Sequence, residues 1–189
     1  MLYSVCFFPP QDFIRRAAEL RKKLKDYSNE RPDYLSHCLL FKSYLLEETE
    51  ERTKRDLEDV VRKHDSFKVT TGKICKAGGK NLIMLNLKHS SELFNLRNEV
   101  HAKLQNYIDY NSNFNNRKKI FVPNLQDLLH YKEFYHPFIS LCKTDSTLNG
   151  HDLHYFENFG MEIGSIILMI KKDRWEPVKN YPLVKIPPT

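Results

Sequence analysis

Leu2 to Phe8 form a short apolar run that stops at Pro9-Pro10, the pattern of a buried strand. From Gln11 to Lys25 the apolar residues Phe13, Ala17, Leu20 and Leu24 recur at helical spacing, with Asp12 near the start. Arg31-Pro32-Asp33 reads as a loop, and the almost uninterrupted apolar stretch after it predicts a strand from about Ser36 to Tyr44. Thr49 to His64 predicts a second helix with Leu57, Val60 and Val61 as its stripe. Phe67 to Cys75 alternates as a strand, and Ala77-Gly78-Gly79 is a turn.

The order then repeats. Asn81 to Leu87 predicts a strand, and Ser90-Ser91-Glu92 opens a helix carrying Leu93, Leu96, Val100, Leu104 and Ile108. Asp109 to Lys119, rich in asparagine, reads as a long exposed loop. Phe138 to Cys142 is a strand after Pro137, Ser146 to Phe159 is helical in part, and Met161 to Lys171 is one strongly apolar strand. Trp175 to Thr189 carries four prolines and is expected to lie over the surface. Each half thus reads strand–helix–strand–helix–strand, an α+β chain of two similar lobes, with lobe one at about 1–76, lobe two at about 80–175 and a surface tail at 176–189.

Composition narrows the class. The chain has 189 residues, is 41% hydrophobic and holds 10 Tyr and 12 Phe, enough to pack an interior. No apolar run approaches the roughly 18–20 residues of a membrane span. The first ten residues lack the basic start of a signal peptide, so an intracellular protein, cytoplasmic or nuclear, is expected. A net charge of +6 favours phosphate-bearing partners, although the mixed-sign stretch Glu47 to Lys63 is ordinary solvated helix. Cys6, Cys38, Cys75 and Cys142 are widely spaced and read as free thiols.

The most distinctive residues lie on the middle strand of each half. The first reads Ser36-His37-Cys38-Leu39-Leu40-Phe41-Lys42 and the second Pro137-Phe138-Ile139-Ser140-Leu141-Cys142-Lys143. Alternation puts His37 with Leu39, and Phe138 with Ser140, on shared strand faces. If the strands stay regular, Lys42 and Lys143 point to the opposite face.

Here the chain resembles the two-histidine (2H) phosphoesterases, the 2′-5′ RNA ligase-like proteins. The resemblance spans nearly the whole chain, from the first strand ending in prolines to the closing Ile166-to-Trp175 run. It implies a bilobal, duplicated α+β fold, with two antiparallel-rich sheets around a central cleft, in which each lobe supplies one His-x-Thr/Ser motif. His37 holds the first histidine position, but the hydroxyl position is Leu39; Ser140 holds the second hydroxyl position, but the histidine position is Phe138. The family's chemistry divides proton transfer between two histidines while the hydroxyls hold the phosphate. A phenyl ring carries no proton, and losing one general acid or base costs about 10²–10⁴ in rate. The family often has a basic residue where Lys42 and Lys143 stand, so both are candidate phosphate contacts, with Ser140. Phe138 either stacks on a base or closes the cleft with apolar packing.

His136, two residues before Phe138, would face the same side roughly 6–7 Å along an extended strand, and could supply the second proton-transfer group. Pro137 marks that place as the strand's entrance, and His136 otherwise belongs to the aromatic stretch Tyr131 to Tyr135. His151-x-x-His154 has the spacing of two metal ligands but no companion, so no metal and no cofactor are expected. His64, His89, His101 and His130 read as polar-face residues, and Arg117-Lys118-Lys119 as a solvated loop.

Three functions compete. The first is a catalytically impaired 2H-like protein that binds RNA or a nucleotide phosphate in the inter-lobe cleft. The second is an active phosphodiesterase acting on 2′,3′-cyclic phosphates or 2′-5′ linkages through His37 and His136. The third is an adaptor with a filled cleft, binding a protein partner through Tyr131 to Phe138 or the proline-rich tail.

Overall fold

A computed structural model describes residues 1–24, 36–77, 82–115, 137–143 and 153–184. Within them the alternating and helical patterns resolve into eight strands and four α-helices: β1 (Leu2–Phe7), α1 (Gln11–Lys23), β2 (Cys38–Tyr44), α2 (Glu50–Val61), β3 (Phe67–Ala77), β4 (Leu82–Leu87), α3 (Ser91–Leu104), α4 (Tyr110–Asn115), β5 (Phe138–Lys143), β6 (Gly160–Ile163), β7 (Ser165–Lys171) and β8 (Trp175–Pro182).

The strands form one antiparallel sheet in the order β6-β3-β4-β5-β2-β1-β7-β8. It is built of two four-stranded halves, β6-β3-β4-β5 and β2-β1-β7-β8, joined where Cys38 on β2 pairs with Ile139 on β5. β6 and β7 stand far apart in this order yet are consecutive in the chain, separated by Gly164 alone, so the sheet curls. An isolated bridge between Asp65 and Val184 links the same region.

α1 packs against β5, α3 against β2 and α2, and α2 against β8. Each helix buries its stripe: Phe13, Ala17 and Leu20 on α1; Leu57, Val60 and Val61 on α2; Leu93, Leu96, Val100 and Leu104 on α3. The strand residues facing them, among them Val5, Leu85, Ile139, Cys142, Ile166 and Leu168, are fully buried. Ser90 caps α3 by accepting the Leu93 N–H at 3.2 Å, as its position before the helix predicts. We call the other side of the sheet the open face. There β7 presents Ser165, Ile167, Met169 and Lys171, all half-buried, in strict alternation with the buried set.

Four expectations need correction. Met161 to Lys171 is two strands, because the chain leaves β3 at Ile163 and joins β1 at Ser165. Trp175 to Pro182 is not a surface tail but the edge strand β8; Pro177 sits beside a bulge and Pro182 at the strand's end, where a missing N–H is tolerated. Tyr110–Asn115 is a short helix inside the stretch read as a loop. His101 is buried on α3, its ring 5.8 Å from Phe41. The Gly78-Gly79 turn, the Tyr131-to-Tyr135 stretch, Arg117–Lys119, His130 and the start of the Ser146-to-Phe159 segment lie outside the described residues. Among the described part of that segment, His154–Phe156 is a 3₁₀ turn.

Candidate functional site

The geometry follows from one residue pair. In an antiparallel ladder the neighbours of a paired couple also lie opposite each other, on the other face. β2 and β5 pair at Cys38 and Ile139; continued one step either way, that register would set His37 towards Ser140 and Leu39 towards Phe138. Burial agrees: Cys38 and Ile139 are fully buried towards the helices, while His37, Leu39, Phe138 and Ser140 are all half-buried on the open face. The two motifs thus meet in the middle of the sheet. In that register the two retained members fall on one diagonal and the two replaced members on the other. Half of the site is polar, and half is apolar.

A pair of bulges extends the symmetry. Between β1 and β2 the register passes from Cys6–Leu39 to Val5–Phe41, so Leu40 is the extra residue. Between β4 and β5 it passes from Met84–Ser140 to Ile83–Cys142, so Leu141 is the extra residue. The two lobes repeat one local construction, including a leucine at each bulge. An extra residue reverses the face of everything after it. Lys42, opposite Ser4, consequently shares the open face with His37, which corrects the expectation drawn for regular strands. Lys143 pairs through its backbone with Leu82 in the equivalent register, and its side chain lies outside what the structure describes. His136 also lies outside the described residues.

Around the four central residues, Phe8 places its ring 6.1 Å from that of His37. Asn86 on β4 pairs with Phe138, and its Oδ1 accepts from the Cys75 thiol at 3.4 Å. Cys6, between Leu39 and Ile167, is closed off by its neighbours, and burial pushes its thiol up to about 12, so it stays protonated. Among the described residues no group of three or more His, Cys, Asp or Glu could hold a metal, and His154 is an exposed side chain 3.9 Å from Glu157.

Beneath the site lies a residue that pattern reading passes over. Arg21 is 5% exposed on α1 and donates to Ser36 Oγ at 3.0 Å and to the Leu141 carbonyl at 2.8 Å. One guanidinium therefore ties the residue before His37 to the bulge after Ser140. The available signal was its place four residues after Ala17, on the apolar stripe itself.

Folds of this outline have solved counterparts. The chain superposes on Escherichia coli LigT complexed with 3′-AMP at a TM-score of 0.63 and 14% identity, covering 96% of this chain and 97% of that one. A protein described as a phosphoesterase matches at 0.62 and 12%, covering 97% and 98%. TT0787 of Thermus thermophilus matches at 0.63 and 11%, again covering 97% and 98%. The chain has the two-histidine phosphoesterase fold. No family model matches the sequence, and no curated protein matches it. At 11–14% identity the 2H likeness is one of architecture, and the chemistry has to be argued from this chain's own residues.

Proposed function

We propose that the chain is a 2H-phosphoesterase-like protein that binds a nucleotide phosphate or RNA end at the His37–Ser140 pair and turns it over slowly or not at all. The observation that supports this reading is the register across β2 and β5. A phosphate seated between the imidazole of His37 and the hydroxyl of Ser140 meets one group able to move a proton and one able to donate a hydrogen bond. On the other diagonal it meets Leu39 and Phe138, which do neither. In-line displacement at phosphorus needs proton transfer on both sides, to the attacking group and to the leaving oxygen. Phe138 is suited instead to stack on a base beside that phosphate. That LigT was crystallised with 3′-AMP fits a ligand of this class.

The test is a pair of measurements on the full chain. Calorimetric titration with 3′-AMP is expected to show binding that His37→Ala and Ser140→Ala each weaken by about 10- to 150-fold, a lost hydrogen bond to a charged group being worth about 1.5–3 kcal/mol. Turnover of a 2′,3′-cyclic nucleotide is expected at background level in the wild type, in His37→Ala and in His136→Ala alike. Turnover lost in both histidine variants would establish an active enzyme that uses both. Absence of 3′-AMP binding would remove the ligand reading and leave the adaptor.

A further inference from the structure

Away from the central pair, the open face carries a second group of residues that the phosphate at His37 does not explain. Lys42 on β2, Lys171 on β7 and Trp175 on β8 all reach this face: Lys42 is opposite Ser4, Lys171 opposite Leu2 one register step further on, and Trp175 opposite Lys171. The Lys42 ammonium lies 5.3 Å from the centre of the Trp175 ring, so the side chain leans across β1 and β7 and away from His37. Among the described residues neither Lys42 nor Lys171 pairs with a carboxylate. Lys171 donates instead to the Asp173 carbonyl, while the neighbouring Lys172 takes Glu176 at 3.0 Å.

Distance separates this cluster from the first site. Five residues and one bulge along β2 put the Lys42 Cα about 13–16 Å from that of His37. One phosphate cannot touch both the imidazole and the leaning ammonium. Two cations and an indole at such a distance along a continuous face match what a single strand offers, a second phosphate with a base beside it.

We propose that Lys42, Lys171 and Trp175 form a second subsite that holds an upstream phosphate and base of a single-stranded nucleic acid whose terminal phosphate sits at His37 and Ser140. The inference rests on the function proposed above and specifies its ligand as an oligonucleotide rather than a mononucleotide. The ammonium of Lys42 is held below the ordinary lysine value, first by the protein atoms crowding it and then by the like charge of Lys171. A phosphodiester bound there brings one negative charge between the two lysines.

Trp175 is the single tryptophan of the chain, so its emission reports on this subsite alone. The probes are an eight-nucleotide single-stranded RNA with a 3′-phosphate, and 3′-AMP. The octamer is expected to quench Trp175 and to bind more tightly than 3′-AMP, which leaves the emission unchanged. In the double variant Lys42→Gln/Lys171→Gln the slope of log K against log salt is expected to fall by about 0.7 for the octamer, the worth of one phosphate lost on a single strand. Affinity for 3′-AMP should not change. Octamer binding that leaves Trp175 silent, with the same salt slope in wild type and double variant, overturns this subsite while sparing the His37–Ser140 reading. So does octamer binding no tighter than that of 3′-AMP. Failure of the wild type to bind either probe overturns both.

Discussion

Arg21 on α1 donates a 2.8 Å hydrogen bond to the carbonyl of Leu141, the residue that makes the bulge in β5. The same Nη1 reaches Ser36 Oγ, so a buried cation fixes the approach of β2 to β5 from below. Replacing Arg21 with Met leaves the Leu141 carbonyl and the Ser36 hydroxyl without this donor. The expected cost is about 2–3 kcal/mol, read as a lower denaturant midpoint. Affinity for 3′-AMP is expected to fall in conditions where the variant remains folded, because His37 and Ser140 lose their common support. Unchanged affinity would make Arg21 a stabilising residue only.

In the register set by Cys38 and Ile139, Leu39 and Phe138 take the places where a hydroxyl and a histidine would complete the second diagonal. Their joint replacement is therefore informative. Leu39→Thr with Phe138→His is expected to raise turnover of a 2′,3′-cyclic nucleotide by about 10²–10⁴, the usual worth of one general acid or base. Each single change should yield less, since a histidine opposite Leu39 lacks the polar neighbour that its strand geometry anticipates. A double variant as inactive as the wild type would show that the frame around the four central residues, not their identity, limits the chemistry.

Much of this frame was written in local pattern. The strand and helix periodicities placed β1 to β5 and α1 to α3 within a few residues, and the two motif strands declared themselves by repetition. What pattern could not carry was register. The register that sets His37 towards Ser140 rather than Phe138 follows from the pairing of Cys38 with Ile139, far apart in the chain, which no local signal encodes. The bulges at Leu40 and Leu141 were equally silent, although they decide the face on which Lys42 stands. β8 was missed because its prolines outweighed its alternation, and an edge strand accepts them. Gly164 divides an apolar run that periodicity reads as continuous.

On the helix side, the Tyr3 hydroxyl donates to Glu50 at 2.8 Å. Hydrogen bonds from Lys54 first, and then from Tyr3, hold the Glu50 carboxyl below its ordinary value of 4.5. A carboxylate with a depressed folded-state pKa stabilises the fold above its unfolded value, and that contribution is lost as pH falls through the folded value. Tyr3→Phe is expected to cost about 1 kcal/mol at neutral pH. The gap between variant and wild type should close as pH drops below 4.5. Urea titrations at pH 7 and at acid pH measure it, and an equal difference at both would show that ring packing, not the carboxylate, is affected.

Cys75 is the half-buried member of four free thiols, while Cys6, Cys38 and Cys142 are buried. Its sulfur points to Asn86, which pairs with Phe138, so it lies at the margin of the proposed site. Brief treatment of the native protein with iodoacetamide, followed by mass spectrometry, is expected to label Cys75 ahead of the other three. Cys6 should be slow, being both enclosed and held as the thiol. A base stacked on Phe138 would cover Asn86 and the thiol beside it, so saturating 3′-phosphorylated RNA should slow Cys75 labelling several-fold. Labelling at an unchanged rate would show that the bound base does not extend over β4, and would place Phe138 as packing for the sheet rather than as a platform for the ligand.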